Sequence, residues 1–140
     1  MNFDFSEDQK FLASEARKFL DAQCTTAHVR EVLNDDAKSL HEGVWKQVVD
    51  MGYIGTAIPE EYGGLGLGML ELCVIAEEMG RALAPVPFAS TTYFFAEALK
   101  IAGSEEQKSE ILPKVAAGEL VGCYAASEGP GNPDPAKLKT

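Results

Sequence analysis

The sequence predicts an all-α fold of five to six helices, with the beginning of β structure near its C-terminal end. Three observations carry this. Apolar residues recur at helical spacing in successive segments. Three of those segments open on a Ser-x-x-Gln or Ser-x-x-Glu box, in which two side chains satisfy the free backbone donors of a helix start. After Gly118 the period changes to a short, continuously apolar run.

The first helix begins at Ser6, boxed with Gln9, and carries Phe11, Leu12, Ala16, Phe19 and Leu20 as one apolar stripe. Glu7, Asp8, Glu15, Arg17 and Lys18 take the opposite face. The polar stretch Thr25 to Lys38 holds a short helix around His28 to Leu33. A second box, Ser39 with Glu42, introduces Leu40, Val44, Trp45, Val48 and Val49, and Gly52 stands where a left-handed C-terminal cap belongs. Tyr53 to Gly68, with Pro59 and the glycines Gly63, Gly64, Gly66 and Gly68, is not helical and reads as a tight connection. Met69 to Leu83 is a long helix whose apolar positions cover more than one face, so it is central and largely buried; Pro85 and Pro87 stop it. Ser90 to Ala102 is the next helix, ended by Gly103. Ser104 with Gln107 opens the last one, through Ile111, Leu112 and Val115, with a kink or new turn at Pro113. Leu120 to Ala126 then reads as a strand, and the Gly- and Pro-rich residues after Ser127 as a loop.

Composition removes several function classes. The 140 residues carry 12 basic and 22 acidic side chains, a formal charge of −10, with no cluster of Lys or Arg to displace phosphate counterions, so nucleic acid is not a partner. The apolar run Leu72 to Ala76 is far short of the roughly 20 residues of a membrane span, and the N-terminus has no basic-then-apolar signal. Cys24, Cys73 and Cys123 are too few and too scattered for a disulfide framework or a metal knuckle; buried free thiols in a reducing cytoplasm are the expectation.

Little else suggests chemistry. His28 and His41 have no metal-ligand spacing around them. Glu60–Glu61, Glu77–Glu78 and Glu105–Glu106 are adjacent acids; on a helix adjacent residues point about 100° apart and do not share a proton easily. Gly64, Gly66 and Gly68 give G-x-G-x-G before a helix, without the buried strand and third-glycine spacing of a dinucleotide site.

Several stretches together resemble the N-terminal part of the acyl-CoA dehydrogenase family. They are Pro59-Glu60-Glu61-Tyr62-Gly63-Gly64-Leu65-Gly66; Glu77-Glu78-Met79-Gly80; Gly103-Ser104-Glu105-Glu106-Gln107-Lys108 leading to Leu112-Pro113 and Gly118-Glu119; and Tyr124-Ala125-Ala126-Ser127-Glu128. The resemblance implies an orthogonal helical bundle over residues 1–119 and the start of a middle β domain over 120–140. It implies α,β-dehydrogenation of an acyl-CoA thioester, with FAD as cofactor and an electron-transfer flavoprotein as acceptor, in a homo- or hetero-oligomer. No catalytic residue is assigned, because the family's base lies in a later domain; the 140 residues alone are expected to be inactive and to expose apolar surface.

By position, the resemblance makes Tyr124, Ala126 and Ser127 flavin contacts, with serine keeping the hydroxyl of the family's usual threonine. Asn132 and Pro133 continue the cofactor side, standing where glycine and serine are usual. Ser90, Thr91 and Phe94 become candidates for the far end of an acyl pocket. The stretch Ala82 to Phe88 resembles members acting on bulky or dicarboxylic acyl groups, some of which pair two kinds of subunit. A non-catalytic acyl-binding or protein-interaction module, or a non-catalytic subunit of a heteromeric enzyme, is the alternative.

Overall fold

A computed structural model describes residues 4–125, 127–129, 136, 138 and 139. The described residues form six α-helices: α1 (Glu7–Gln23), α2 (Thr26–Leu33), α3 (Glu42–Asp50), α4 (Met69–Arg81), α5 (Glu97–Ala102) and α6 (Glu105–Ala116). A π-helical segment, Ser90–Ala96, runs directly into α5. The expected all-α bundle is therefore present.

Local chemistry sets most boundaries. At α1 the Ser6 hydroxyl accepts the Gln9 N–H at 3.2 Å while the Gln9 carboxamide oxygen accepts the Ser6 N–H at 3.0 Å. Ser104 and Gln107 repeat this box at α6. Pro113 sits inside α6, which continues to Ala116. The predicted Ser39–Glu42 box is not formed. His41 is the cap instead, its Nδ1 accepting the Val44 N–H at 3.1 Å. The reason is tertiary: the His41 N–H donates to the Pro85 carbonyl at 2.9 Å, which holds His41 extended and starts the helix at Glu42.

Two helices end on the expected glycines, with Gly52 at φ 74° and Gly118 at φ 70°. The helix α4 ends differently. It stops at Arg81, two residues short of the expected Leu83, and closes with the Leu83 N–H on the Gly80 carbonyl at 3.1 Å and the Ala84 N–H on the Met79 carbonyl at 3.0 Å. That pair of bonds requires a left-handed residue at Leu83, which has φ 52°. A leucine there bears a Cβ clash that glycine lacks. Leu83→Gly is expected to raise the unfolding free energy by about 0.5–1 kcal/mol, after the greater entropy of glycine in the unfolded chain is subtracted. Urea denaturation checks this.

The core joins Ala16 and Leu20 of α1, Val44, Trp45 and Val48 of α3, Leu72, Ile75 and Met79 of α4, and Leu112 and Val115 of α6, with Tyr53, Ile54 and Ile58 from the α3–α4 connection. Helices α1 and α4 lie side by side in the same direction, since Gln9 meets Glu71, Arg17 meets Glu78 and Asp21 meets Arg81 in order. Phe11, expected on the buried stripe, is exposed, because at about 100° per residue it lies on the opposite side of α1 from Gln9, Ala16 and Leu20, the side that meets α4. Leu70 is exposed as well, so α4 is buried on one side rather than all round.

The expected strand Leu120 to Ala126 is not formed over 120–125, and Ala126 lies outside the described residues. A strand exists through its ladder, and no second extended segment among the described residues pairs with this one. Of the thiols, Cys24 is buried as expected, while Cys73 and Cys123 are exposed; all three are free. Among the described residues no helix is long and apolar enough to cross a membrane.

Candidate functional site

The glycine loop offers a phosphate nothing. The Gly64 N–H donates to the Pro59 carbonyl, that of Leu65 to Gly55, of Gly66 to Ile58 and of Leu67 to Thr56, at 2.9–3.1 Å. A phosphate cradle needs these donors free and pointing outward. They instead stitch residues 64–67 to residues 55–59.

Glu78, one of the paired acids, is 2% exposed and receives three charged donors: Arg17 Nη2 at 2.6 Å, Arg17 Nε at 3.0 Å and Arg81 Nε at 2.7 Å. The Arg17 guanidinium, and then Arg81, hold its carboxyl below the usual glutamate range despite burial. A carboxylate so saturated is a poor proton acceptor, so its role is to join α1 to α4. Its neighbour Glu77 points away toward the surface. A polar recess of about 410 Å3 at the α2–α3 connection is lined by Glu31, Lys38, Ser39 and His41 and by none of the predicted site residues. There Lys38 is already paired with Glu31.

The π-helical segment that carries Ser90, Thr91 and Phe94 touches the chain at Gly122, two residues before Tyr124. Ser90 and Thr92 turn their hydroxyls back along the helix, donating to the Pro87 carbonyl at 3.1 Å and the Phe88 carbonyl at 2.8 Å. At Pro87 the hydroxyl is a second donor, since that carbonyl also accepts the Thr91 N–H at 3.2 Å. Phe94 projects outward and is 57% exposed, so it is not part of the core. Thr91 is fully buried, and its hydroxyl contacts Gly122 rather than an open pocket: 3.4 Å to the Gly122 carbonyl oxygen and 3.4 Å to its N–H.

Past that contact the chain is open. Val121, Cys123, Tyr124 and Ala125 are exposed, Tyr124 at 64%, while Gly122 between them is buried. The Ser127 hydroxyl accepts the Gly129 N–H at 3.3 Å and donates to the Gly129 carbonyl at 2.5 Å, a tight turn at the segment's end. Ala126, Asn132 and Pro133 lie outside the described residues. Sequence reasoning missed one contact here. Tyr93 of the π-helical segment meets Cys73 of α4, and burial, then the Cys73 contact, push its phenol pKa up. Neither residue type carried a spacing signal, because the pair is joined only across two helices.

The comparisons with known proteins bear on this arrangement. Residues 6–119 match the family model described as the acyl-CoA dehydrogenase N-terminal domain. The chain belongs to the acyl-CoA dehydrogenase family. This acyl-CoA dehydrogenase-family chain is 33% identical over 136 residues to the mitochondrial isovaleryl-CoA dehydrogenase of Pongo abelii, covering 96% of itself and 32% of that protein. It thus spans about a third of that relative's length. Among solved structures it is similar to the ChsE4-ChsE5 complex from Mycobacterium tuberculosis, with TM-score 0.82, 28% identity, and 94% and 36% of the two chains covered. It is also similar to an acyl-CoA dehydrogenase complexed with FAD from Bacillus anthracis, with TM-score 0.77, 28% identity, and coverage of 89% and 21%.

The chemistry of the segment after Gly122 is compatible with a flavin edge, which alternates hydrogen-bond donors and acceptors: Tyr124 and Ala125 are exposed and each carries one backbone N–H and one C=O, while the Ser127 hydroxyl is already bonded to both backbone groups of Gly129.

Proposed function

We propose that this chain is the helical N-terminal domain (residues 1–119) and the opening stretch of the middle domain (residues 120–140) of an FAD-dependent acyl-CoA dehydrogenase. The observation that supports this reading above others is the likeness, over 89% of the chain, to an acyl-CoA dehydrogenase complexed with FAD. The chemistry supplied by bound FAD is hydride acceptance from the β carbon of an acyl thioester, with electrons passed on to an electron-transfer flavoprotein.

The residues of this chain bind and orient. Tyr124, Ala126 and Ser127, with Asn132 and Pro133 following, face the flavin. Ser90, Thr91 and Phe94 belong to the helix at the acyl end of the pocket, where exposed Phe94 excludes water from the chain terminus and Thr91 acts from beneath. No proton-abstracting group is assigned here, because the one buried carboxylate among the described residues, Glu78, is locked between two arginines. The protein works in the reducing cytoplasm, in keeping with three unpaired thiols. It does so as a homo- or hetero-oligomer, in line with the two-component ChsE4-ChsE5 complex whose fold it shares.

The test is titration of the whole protein with FAD and a panel of acyl-CoA thioesters, followed by dye reduction. Stoichiometric flavin binding and acyl-dependent dye reduction are expected from the whole protein, and no dye reduction from residues 1–140 alone. Acyl-CoA binding with no flavin binding would replace this reading with a non-catalytic acyl-binding module.

A further inference from the structure

We infer that Thr91 is a positioning residue: its buried hydroxyl latches the Gly122–Ala125 segment to the π-helical turn and so fixes Tyr124 relative to the acyl-facing helix. The functional half of this inference rests on the reading above; the latch itself rests on geometry alone.

Gly122 is the one buried residue between Val121 and Ala125, so a single point anchors an otherwise exposed stretch. At that point one hydroxyl meets both backbone groups of the glycine, donating to its carbonyl and accepting its N–H, each at 3.4 Å. Gly122 has to be glycine, since a Cβ there would lie closer than 3.0 Å to Phe95 atoms. Phe95 thus packs against Gly122 beside the Thr91 hydroxyl, the two residues sharing one face of the segment. Both come from consecutive turns of the π-helical segment.

The widened geometry matters here. Ser90 and Thr92 spend their hydroxyls on their own helix, at the Pro87 and Phe88 carbonyls, and Thr91 alone of the three reaches across. Phe94 leaves the same turn toward solvent, three residues after Thr91. Tyr124 leaves the latched segment two residues after Gly122. Moving the latch therefore moves Tyr124 relative to Phe94, with the rest of the bundle unchanged.

The experiment compares the wild-type whole protein with Thr91→Val, which keeps the shape and removes both hydrogen bonds, and Thr91→Ser, which keeps the hydroxyl. Deuterium exchange of peptides spanning 119–127 is read first, with peptides of α1 and α4 as internal reference. Losing the two bonds is expected to speed exchange at 119–127 by about tenfold in Thr91→Val, with α1 and α4 unchanged and Thr91→Ser close to wild type. FAD affinity of the apoprotein is read second, by quenching of flavin fluorescence, and is expected to fall about fivefold in Thr91→Val and to recover in Thr91→Ser. With acyl-CoA, kcat is expected to fall while KM holds, because orientation rather than substrate capture is lost.

Unchanged exchange at 119–127 in Thr91→Val overturns the latch. Faster exchange everywhere shows a general loss of packing and also overturns it. If Thr91→Val does not fold, Thr91→Ala is read in the same way against Thr91→Ser. Absence of flavin binding in the wild-type protein would defeat the functional reading but leave the exchange result to decide the latch.

Discussion

Gly64→Ala is expected to destabilise the chain by about 3 kcal/mol, one of the largest effects available from a single methyl group. A Cβ at position 64 would lie closer than 3.0 Å to the carbonyl oxygen, carbonyl carbon and Cβ of Ile58. Two of those three atoms are backbone, so no rotamer change relieves the clash. The Ile58 carbonyl also accepts the Gly66 N–H at 2.9 Å, and Ile58 is itself buried in the core. Pushing residue 64 away therefore breaks the stitching of 64–67 to 55–59 and disturbs the floor on which α4 and α6 rest. The comparison is Gly63→Ala, where a Cβ meets nothing but φ is 79°. That variant carries only the backbone cost of about 1 kcal/mol. Thermal and urea unfolding of the two variants side by side separates close approach from conformational strain; equal losses would show that the packing argument is wrong.

Glu78→Gln is the second large expectation, a loss of about 2 kcal/mol at neutral pH. The amide keeps the volume, but its NH2 faces a guanidinium that needs an acceptor. The arginines are partly exposed and regain water, which keeps the loss below that of a fully buried pair broken on one side. The sign with pH is definite. The folded carboxyl titrates below its ordinary value of 4.5, with the Arg17 contact as the leading cause. Its contribution is complete above that value and is lost as pH falls through the lower, folded one. The gap between wild type and Glu78→Gln should accordingly be constant from neutral pH down toward 5 and close in more acidic solution. Urea midpoints measured across that range check it, and a gap that widens in acid would contradict the assignment. Removing the whole triad with Arg17→Met, Glu78→Leu and Arg81→Met together is expected to cost less than Glu78→Gln alone, since no buried charge or donor is then stranded.

Much of the fold was legible in the chain. The Ser6–Gln9 and Ser104–Gln107 boxes, the left-handed glycines at 52 and 118 and the apolar periodicity of α1, α3, α4 and α6 act within one or two helical turns, so local chemistry decides them. The failures have separate causes. Ser39 lost its cap to His41 because Pro85, far along the chain, fixes His41 by a backbone bond. Phe11 is outside the core because it lies on the side of α1 opposite Ala16 and Leu20, so helical phase itself excludes it from the stripe to which it was assigned. The run at 120–125 has strand composition, but pairing supplies a strand, and composition supplies only the tendency.

The candidate site divides in the same way. Sequence similarity pointed to Tyr124, Ser127, Ser90, Thr91 and Phe94 as residues to follow, and the structure describes where each of them lies. That Thr91 faces Gly122 and not a pocket, that Tyr93 meets Cys73, and that Phe94 stands free of the core depend on a widened turn that no periodicity announces.

The sequence by itself determined the starts of α1 and α6, the glycine stops at 52 and 118, which residue types line the helices, and the family to which the chain belongs, because capping, backbone conformation and hydrophobic period are local quantities. Only the tertiary structure decided that α1 and α4 run in parallel around Glu78 and that Gly122 ties the exposed residues on either side of it, Val121 and Cys123, to the bundle. Both are contacts between residues some thirty to sixty positions apart, whose energy depends on where a carboxylate or a bare Cα ends up in space. Spacing along a chain carries no record of that.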